Sequence, residues 1–144
     1  MRVVVQKVIN SSCVVDDKLV SKIDKGLMLL VGFTYGDNID NIKWMVNKIS
    51  NLRIFEDDNG IMNLSVLDVG GSILSISQFT LYGDASKGNR PSYIKALNGE
   101  ESTKLYDLFN EEMGKVVDTK KGIFGADMKI SLINDGPTTI ILEK

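Results

Sequence analysis

The stretch Gly26-Leu27-Met28-Leu29-Leu30-Val31-Gly32 constrains the fold most, because apolar residues follow one another without a break between two glycines. A strand with one wet face would alternate apolar and polar residues. This one is apolar on both faces, so it reads as a strand covered from both sides. One cover is legible nearby: Ile39, Ile42, Val46, Ile49 and Leu52, with Met45 beside them, fall three or four residues apart and form one stripe of a helix. Asp37 or Asn38 can cap its start by accepting a backbone N–H. A second helix is predicted over 101–113, with Leu105, Leu108, Phe109 and Met113 on one face and Gly114 as its stop.

The remaining apolar pieces read as strands. They are 2–8; a hairpin over 13–20 turning at Asp16-Asp17; 53–55 before the acidic turn 56–60; 72–78 after Gly70-Gly71; and 115–119, 127–132 and 138–142. Residues 83–98 read as a loop. The expectation is a mixed α/β fold, a single compact domain over 1–144 with helices packed on one face of its sheets.

Composition narrows the chemistry. The chain has no histidine, which removes Ser-His-Asp and Cys-His catalysis. With one cysteine, Cys13, a zinc site is not expected, and carboxylates alone suit Mg²⁺ or Ca²⁺ better. Cys13 itself, in a valine-rich strand, reads as a small buried hydrophobe. A net charge of −2 gives no bulk attraction to nucleic acid, though a local basic patch is open. No apolar run reaches the roughly 18 residues of a membrane helix. Gln6 and Lys7 interrupt the N-terminal valines too early for a signal peptide, so a cytoplasmic location is the default expectation.

Most motifs have plain explanations. Asp57-Asp58-Asn59-Gly60 lacks the glutamate that closes a calcium loop and reads as a solvated turn. Gly70-Gly71 lacks the spacing of a phosphate loop. Trp44 lies off the main stripe of its helix. Two segments stand out. Ser77-Gln78-Phe79-Thr80-Leu81 presents hydroxyls and an amide just after a buried strand, where binding sites are often placed. Asn134-Asp135-Gly136-Pro137 is concentrated turn chemistry between two predicted strands.

Together SQFTL at 77–81 and NDGP at 134–137 resemble the two signature motifs of the D-aminoacyl-tRNA deacylase family. The similarity runs end to end, through VVQKV, Leu52-Arg53-Ile54-Phe55, Met62-Asn63-Leu64, the loop from Lys87-Gly88 to Arg90-Pro91, and 122–128. The resemblance implies β/β/α layering and hydrolysis of the ester joining a D-amino acid, or glycine, to the 3′ adenosine of tRNA, with L-esters spared. It implies a homodimer with sites at the interface, in which a cis Gly136-Pro137 turn of one chain faces Ser77, Gln78, Phe79 and Thr80 of the other. No cofactor and no metal are expected, and neither membrane nor DNA as a partner.

On this reading the backbone N–H groups of Phe79 and Thr80 are candidates for an oxyanion hole. Gln78 would orient water or substrate, with Ser77 as a second polar contact. Thr80, with no base identifiable to activate it, takes a positioning role, and the ribose 2′-hydroxyl could assist. Phe124 and Met128 lie in the segment that resembles the family's adenine pocket and are candidates to hold the terminal base, with core packing as the alternative for both. Lys87, Arg90 and Lys95, and on another side Lys115, Lys120 and Lys121, are candidates for phosphate contacts or plain solvated charge. Gln6, Lys7, Asn134 and Asp135 would support the Gly-Pro turn. Two residues depart from the pattern: Lys7 stands where arginine is common, and Thr138 replaces a valine and adds a hydroxyl that needs a partner. Two other readings are a dimeric RNA-binding scaffold without catalysis, and an unrelated hydrolase using Asp84 and Asp135 as acid and base.

Overall fold

The first strand does not stop at Val8. In the computed structural model, which describes residues 1–144, it continues to Val15 and organises the sheet around itself. The elements in order are β1 (Arg2–Val15), β2 (Lys18–Ile23), β3 (Gly26–Gly32), α1 (Ile39–Ser50), β4 (Phe55–Glu56), β5 (Met62–Leu64), β6 (Ser72–Ser77), a 3-10 helix (Phe79–Tyr82), α2 (Gly99–Gly114), β7 (Thr119–Lys121) and β8 (Lys129–Glu143). Along one edge β1 pairs antiparallel first with β3 and then with β2, and along the other it pairs antiparallel with β8. Beyond β3 the sheet continues through parallel β6 and β7. Asp16 and Asp17 turn the β1–β2 hairpin with φ of 48° and 59°, left-handed positions that aspartate tolerates. β4 and β5 form a separate small ladder.

The two-sided burial expected of β3 is observed. Leu27, Leu29 and Val31 pack with Val3, Val5 and Ile73 under the two helices, against Ile42, Met45, Ile49, Tyr106 and Phe109. Met28 faces the other way into a second core with Val8, Cys13, Ile23, Leu74 and Ile76. That second core exists because the sheet curls until β2 lies near β6 and β7, so the sheet covers itself. The result is mixed α/β with both helices on one side. Asn38 caps α1: its side chain accepts from the amides of Asp40 and Asn41, and Asn41 returns a bond from its own side chain. Burial raises the Cys13 thiol above its ordinary pKa, as befits a core residue.

Several boundaries differ from expectation. Leu52 lies past the helix end, which is capped by Asn51. Residues 53–54 are not strand, and only Phe55–Glu56 pair with β5. Residues 115–118 form the exit from α2, and the strand begins at Thr119. The largest correction concerns 127–132 and 138–142, which are two halves of one strand, β8. Both halves pair with β1 in the same direction, Ile133 opposite Asn10 and Thr139 opposite Gln6. The Asn-Asp-Gly-Pro segment therefore loops out of a continuous strand and does not reverse the chain. No helix is long and apolar enough to cross a membrane.

Candidate active site

Strands β3 and β6 run parallel, and a crevice beyond the carboxyl ends of parallel strands is where such sheets commonly bind ligands. Ser77 ends β6 opposite Val31, and the Gln78 amide still donates to the Val31 carbonyl at 2.8 Å. The chain can pass this close to β3 because residue 32 is glycine: a Cβ there would stand 2.9 Å from the Gln78 carbonyl oxygen. The backbone then winds into the 3-10 helix Phe79–Tyr82. The amides of Phe79 and Thr80 open that helix and donate to no other group of the chain, as expected of the first turn of any helix.

Above this turn lies a cleft of about 250 Å³. Ser77, Gln78 and Phe79 line one side and Phe124, Ala126 and Met128 the other, with Val31, Phe33 and Ile76 as its floor. The two segments are joined by fit: a Cβ on Gly122 would stand 2.5 Å from the Met128 sulfur and 3.1 Å from Ile76 Cδ1. Phe124 packs on Tyr106 with ring centroids 5.8 Å apart, and Tyr106 is fixed by donating its hydroxyl to the Ser75 carbonyl at 2.8 Å. Met128 both lines the cleft and packs on the second core. Thr80 does not line the cleft, but its hydroxyl accepts a hydrogen bond from the Gln78 side-chain amide. No aspartate, glutamate, lysine or arginine lines the cleft, so Thr80 has no side-chain base within it.

A second group assembles on β1 and β8. The Gly136-Pro137 peptide is cis, and both residues are exposed. Asn134 braces the loop, accepting from the Thr138 amide at 3.0 Å and donating to the Thr139 hydroxyl at 2.9 Å. Gln6 also donates to the Thr139 hydroxyl, at 3.4 Å. Lys7 is buried, and its ammonium lies 3.5 Å from the Asp135 carboxylate, a single point contact where a guanidinium would offer a fork. None of these residues lines the cleft of its own chain.

The basic candidates separate. Lys115, Lys120 and Lys121 each pair with a nearby carboxylate, on Glu111 and Glu112, Asp118, and Asp107 respectively. Lys87 and Arg90 are exposed between the bridged residues Asp84 and Ser92 and do not line the cleft. Asp84 and Asp135 lie outside it as well. Hydrogen bonds from Ser86 hold the Asp84 carboxyl below its ordinary pKa, which suits an ionised loop brace and not a general acid. No three His, Cys, Asp or Glu side chains gather where they could hold a metal.

The family model described as D-Tyr-tRNA(Tyr) deacylase matches residues 4–143. The chain belongs to the D-aminoacyl-tRNA deacylase family. The D-aminoacyl-tRNA deacylase of Flavobacterium psychrophilum is 55% identical over 147 residues, covering 99% of this chain and 97% of that one. A solved structure described as c-Myc DNA Unwinding Element Binding Protein is 39% identical and superposes with a TM-score of 0.95 over 100% of this chain and 99% of its own. A second, described as a "probable eukaryotic D-amino acid tRNA deacylase", shares the fold at 18% identity, with a TM-score of 0.82 over 98% of this chain and 97% of its own. This deacylase chain is thus an enzyme that hydrolyses D-aminoacyl-tRNA, and tRNA is its partner.

Within this deacylase, one departure now has a measurable consequence. The Thr138 hydroxyl is buried and has no hydrogen-bond partner. Valine has nearly the same shape without that oxygen, so Thr138→Val is expected to stabilise the fold by about 1 kcal/mol in urea denaturation. Sequence reasoning missed Phe33, Ser102 and Ala126 as lining residues. Only the glycines at 32, 122 and 125 gave a signal there, and close approach of backbone cannot be told from an ordinary turn in one sequence.

Proposed function

We propose that the cleft holds the terminal adenosine and its D-aminoacyl or glycyl ester, and that the Gly136-Pro137 loop of a second copy closes it and selects against L-esters. The observation that carries this reading is the meeting of Ser77, Gln78 and Phe79 with Phe124 and Met128 in one cleft without an acidic or basic side chain. An ester needs an oxyanion hole and a positioned water more than a nucleophile. The free amides of Phe79 and Thr80 serve as the hole. The Gln78 amide, anchored on Thr80, leaves its carbonyl oxygen to orient water, and the ribose 2′-hydroxyl assists. Thr80 positions Gln78 and attacks nothing.

Selection follows from shape. Carbonyl oxygens of the loop accept hydrogen bonds from the substrate ammonium, after which an L side chain runs into the loop, a D side chain points away and glycine has none. The cross-chain arrangement is supported by the loop's exposure and by the absence of its residues from the lining of the cleft of its own chain. Ile9, Ile133 and Ile141 are also exposed on β1 and β8, the strands that carry it, as an interface between copies requires. Lys87 and Arg90 would meet tRNA phosphates, and the reaction needs no cofactor in a cytoplasmic, single-domain protein.

The test is single-turnover deacylation of D-Tyr-tRNA, Gly-tRNA and L-Tyr-tRNA by chelator-treated protein. Rapid loss of the first two with the third spared is expected. Hydrolysis of all three would sink the selection account, and survival of all three with tRNA still bound would favour the scaffold reading. Light scattering should give twice the 15.9 kDa chain mass, and a monomer overturns the shared site. Asp84→Asn and Asp135→Asn should each slow the reaction by no more than about tenfold, whereas loss of a true acid–base carboxylate costs on the order of a thousandfold.

A further inference from the structure

A polar depression of about 190 Å³ lies at the other end of the 3-10 helix from the cleft, lined by Arg2, Tyr82, Gly83, Asp84, Ala85 and Lys95. Tyr82 lines this depression and is only 7% exposed, yet its hydroxyl donates to no group of the chain and is not sealed from solvent. Burial, with the charges of Asp37 and Glu143, pushes its pKa up to about 12, so it remains a donor at neutral pH. Arg2 is held in place by the Leu81 carbonyl at 2.6 Å, by Glu143 at 2.8 Å and by the Tyr82 ring 4.9 Å beneath it, with N–H donors left over. Lys95 is exposed and pairs with no carboxylate within ion-pair distance. The one acid, Asp84, is turned to the Ser86 amide at 2.9 Å. Arg2 is already paired with Glu143, so Lys95 is the cation of the depression without an ion-pair partner, and one phosphodiester would supply it.

The structure assigns this depression, through Arg2, Tyr82 and Lys95, to a phosphodiester of the single-stranded 3′ end of tRNA, which it anchors so that the terminal ester reaches the cleft. The inference rests on the reading of the cleft given above. A 3-10 helix of this length spans roughly 6–8 Å, about one nucleotide step of an extended strand. Between the two hollows stands Tyr93, edge-on to Phe79 at 5.2 Å and so close to Gly83 that a Cβ there would lie 3.0 Å from its ring. Its part-exposed ring is a stacking platform for the intervening base.

The test compares the wild type with Tyr82→Phe/Lys95→Gln on two substrates, D-Tyr-tRNA and 3′-(D-tyrosyl)adenosine, which has no phosphodiester. The variant should lose about tenfold in kcat/KM on the tRNA, through KM, and nothing on the adenosine ester. In a salt titration of uncharged tRNA binding its slope should be shallower by about 0.7, the share of one single-strand phosphate. Equal losses on both substrates, no loss on tRNA, or an unchanged slope would each overturn the assignment. Failure of the cleft reading shows separately, as survival of both D-esters with the wild type, and the salt slope then still decides the phosphate site.

Discussion

Gly136→Ala should lower single-turnover deacylation of D-Tyr-tRNA by roughly 100-fold, the scale expected when a positioning element moves by about 1 Å. Gly136 has φ of +122°, a region that L side chains avoid. A Cβ there would stand 2.6 Å from the Thr138 hydroxyl oxygen and 2.9 Å from the Thr138 amide nitrogen, the group that Asn134 holds. Trimming Thr138 to alanine relieves the first contact and neither the second nor the torsion, so Gly136→Ala/Thr138→Ala should recover little. The loop is exposed at an outward bulge, so the substitution should leave Tm within a few degrees of the wild type, and circular dichroism checks that the loss is local. A folded Gly136→Ala protein with the wild-type rate would remove the loop from the mechanism.

The largest effect on stability is expected at Gly26. It starts β3 opposite Ser72, and a Cβ there would sit 1.8 Å from the Ser72 carbonyl oxygen, well inside contact distance. Relief requires prising β3 from β6, the parallel pair on which both cores rest. Gly26→Ala should therefore cost about 3 kcal/mol or more, seen as a fall in Tm of roughly 10 °C. Gly99→Ala is the matched control: it begins α2 with nothing within 4 Å of a new Cβ, and should be neutral or mildly stabilising. An unchanged Tm in Gly26→Ala would mean that β3 and β6 can separate without penalty.

Much of this fold was legible because hydrophobic pattern is local. The unbroken apolar run of β3 announced two covers, and the stripe of α1 announced one of them. The second cover was not legible, because it is the sheet's own far end, brought round by curl, and no local pattern encodes curl. The Asn-Asp-Gly-Pro segment misled for a related reason. Its residues specify a tight change of direction, but only the shared partner β1 shows that the strand resumes its course. In the site, the strings at 77–80 and 134–137 were visible by resemblance. Their separation into a cleft on one side and a braced loop on another is a matter of topology. Tyr82 and Arg2 gave no signal, since a tyrosine at a helix end and an arginine at a strand start have ordinary structural explanations.

The pairing of β1 with β8 bears on how the protein is made. Arg2 lies opposite Glu143, and every rung of that ladder joins residues more than a hundred positions apart in sequence. Contacts of such long range form only after a large loop has closed, which slows folding relative to chains built from neighbouring hairpins. On the ribosome β1, β2 and β3 can pair early, while the other edge of β1 stays open until β8 emerges. Since β8 carries residues 134–137, the loop proposed to reject L-esters takes shape only after the other strands of the sheet have been made. A nascent chain that already has Ser77 to Thr80 does not yet have the means to discriminate.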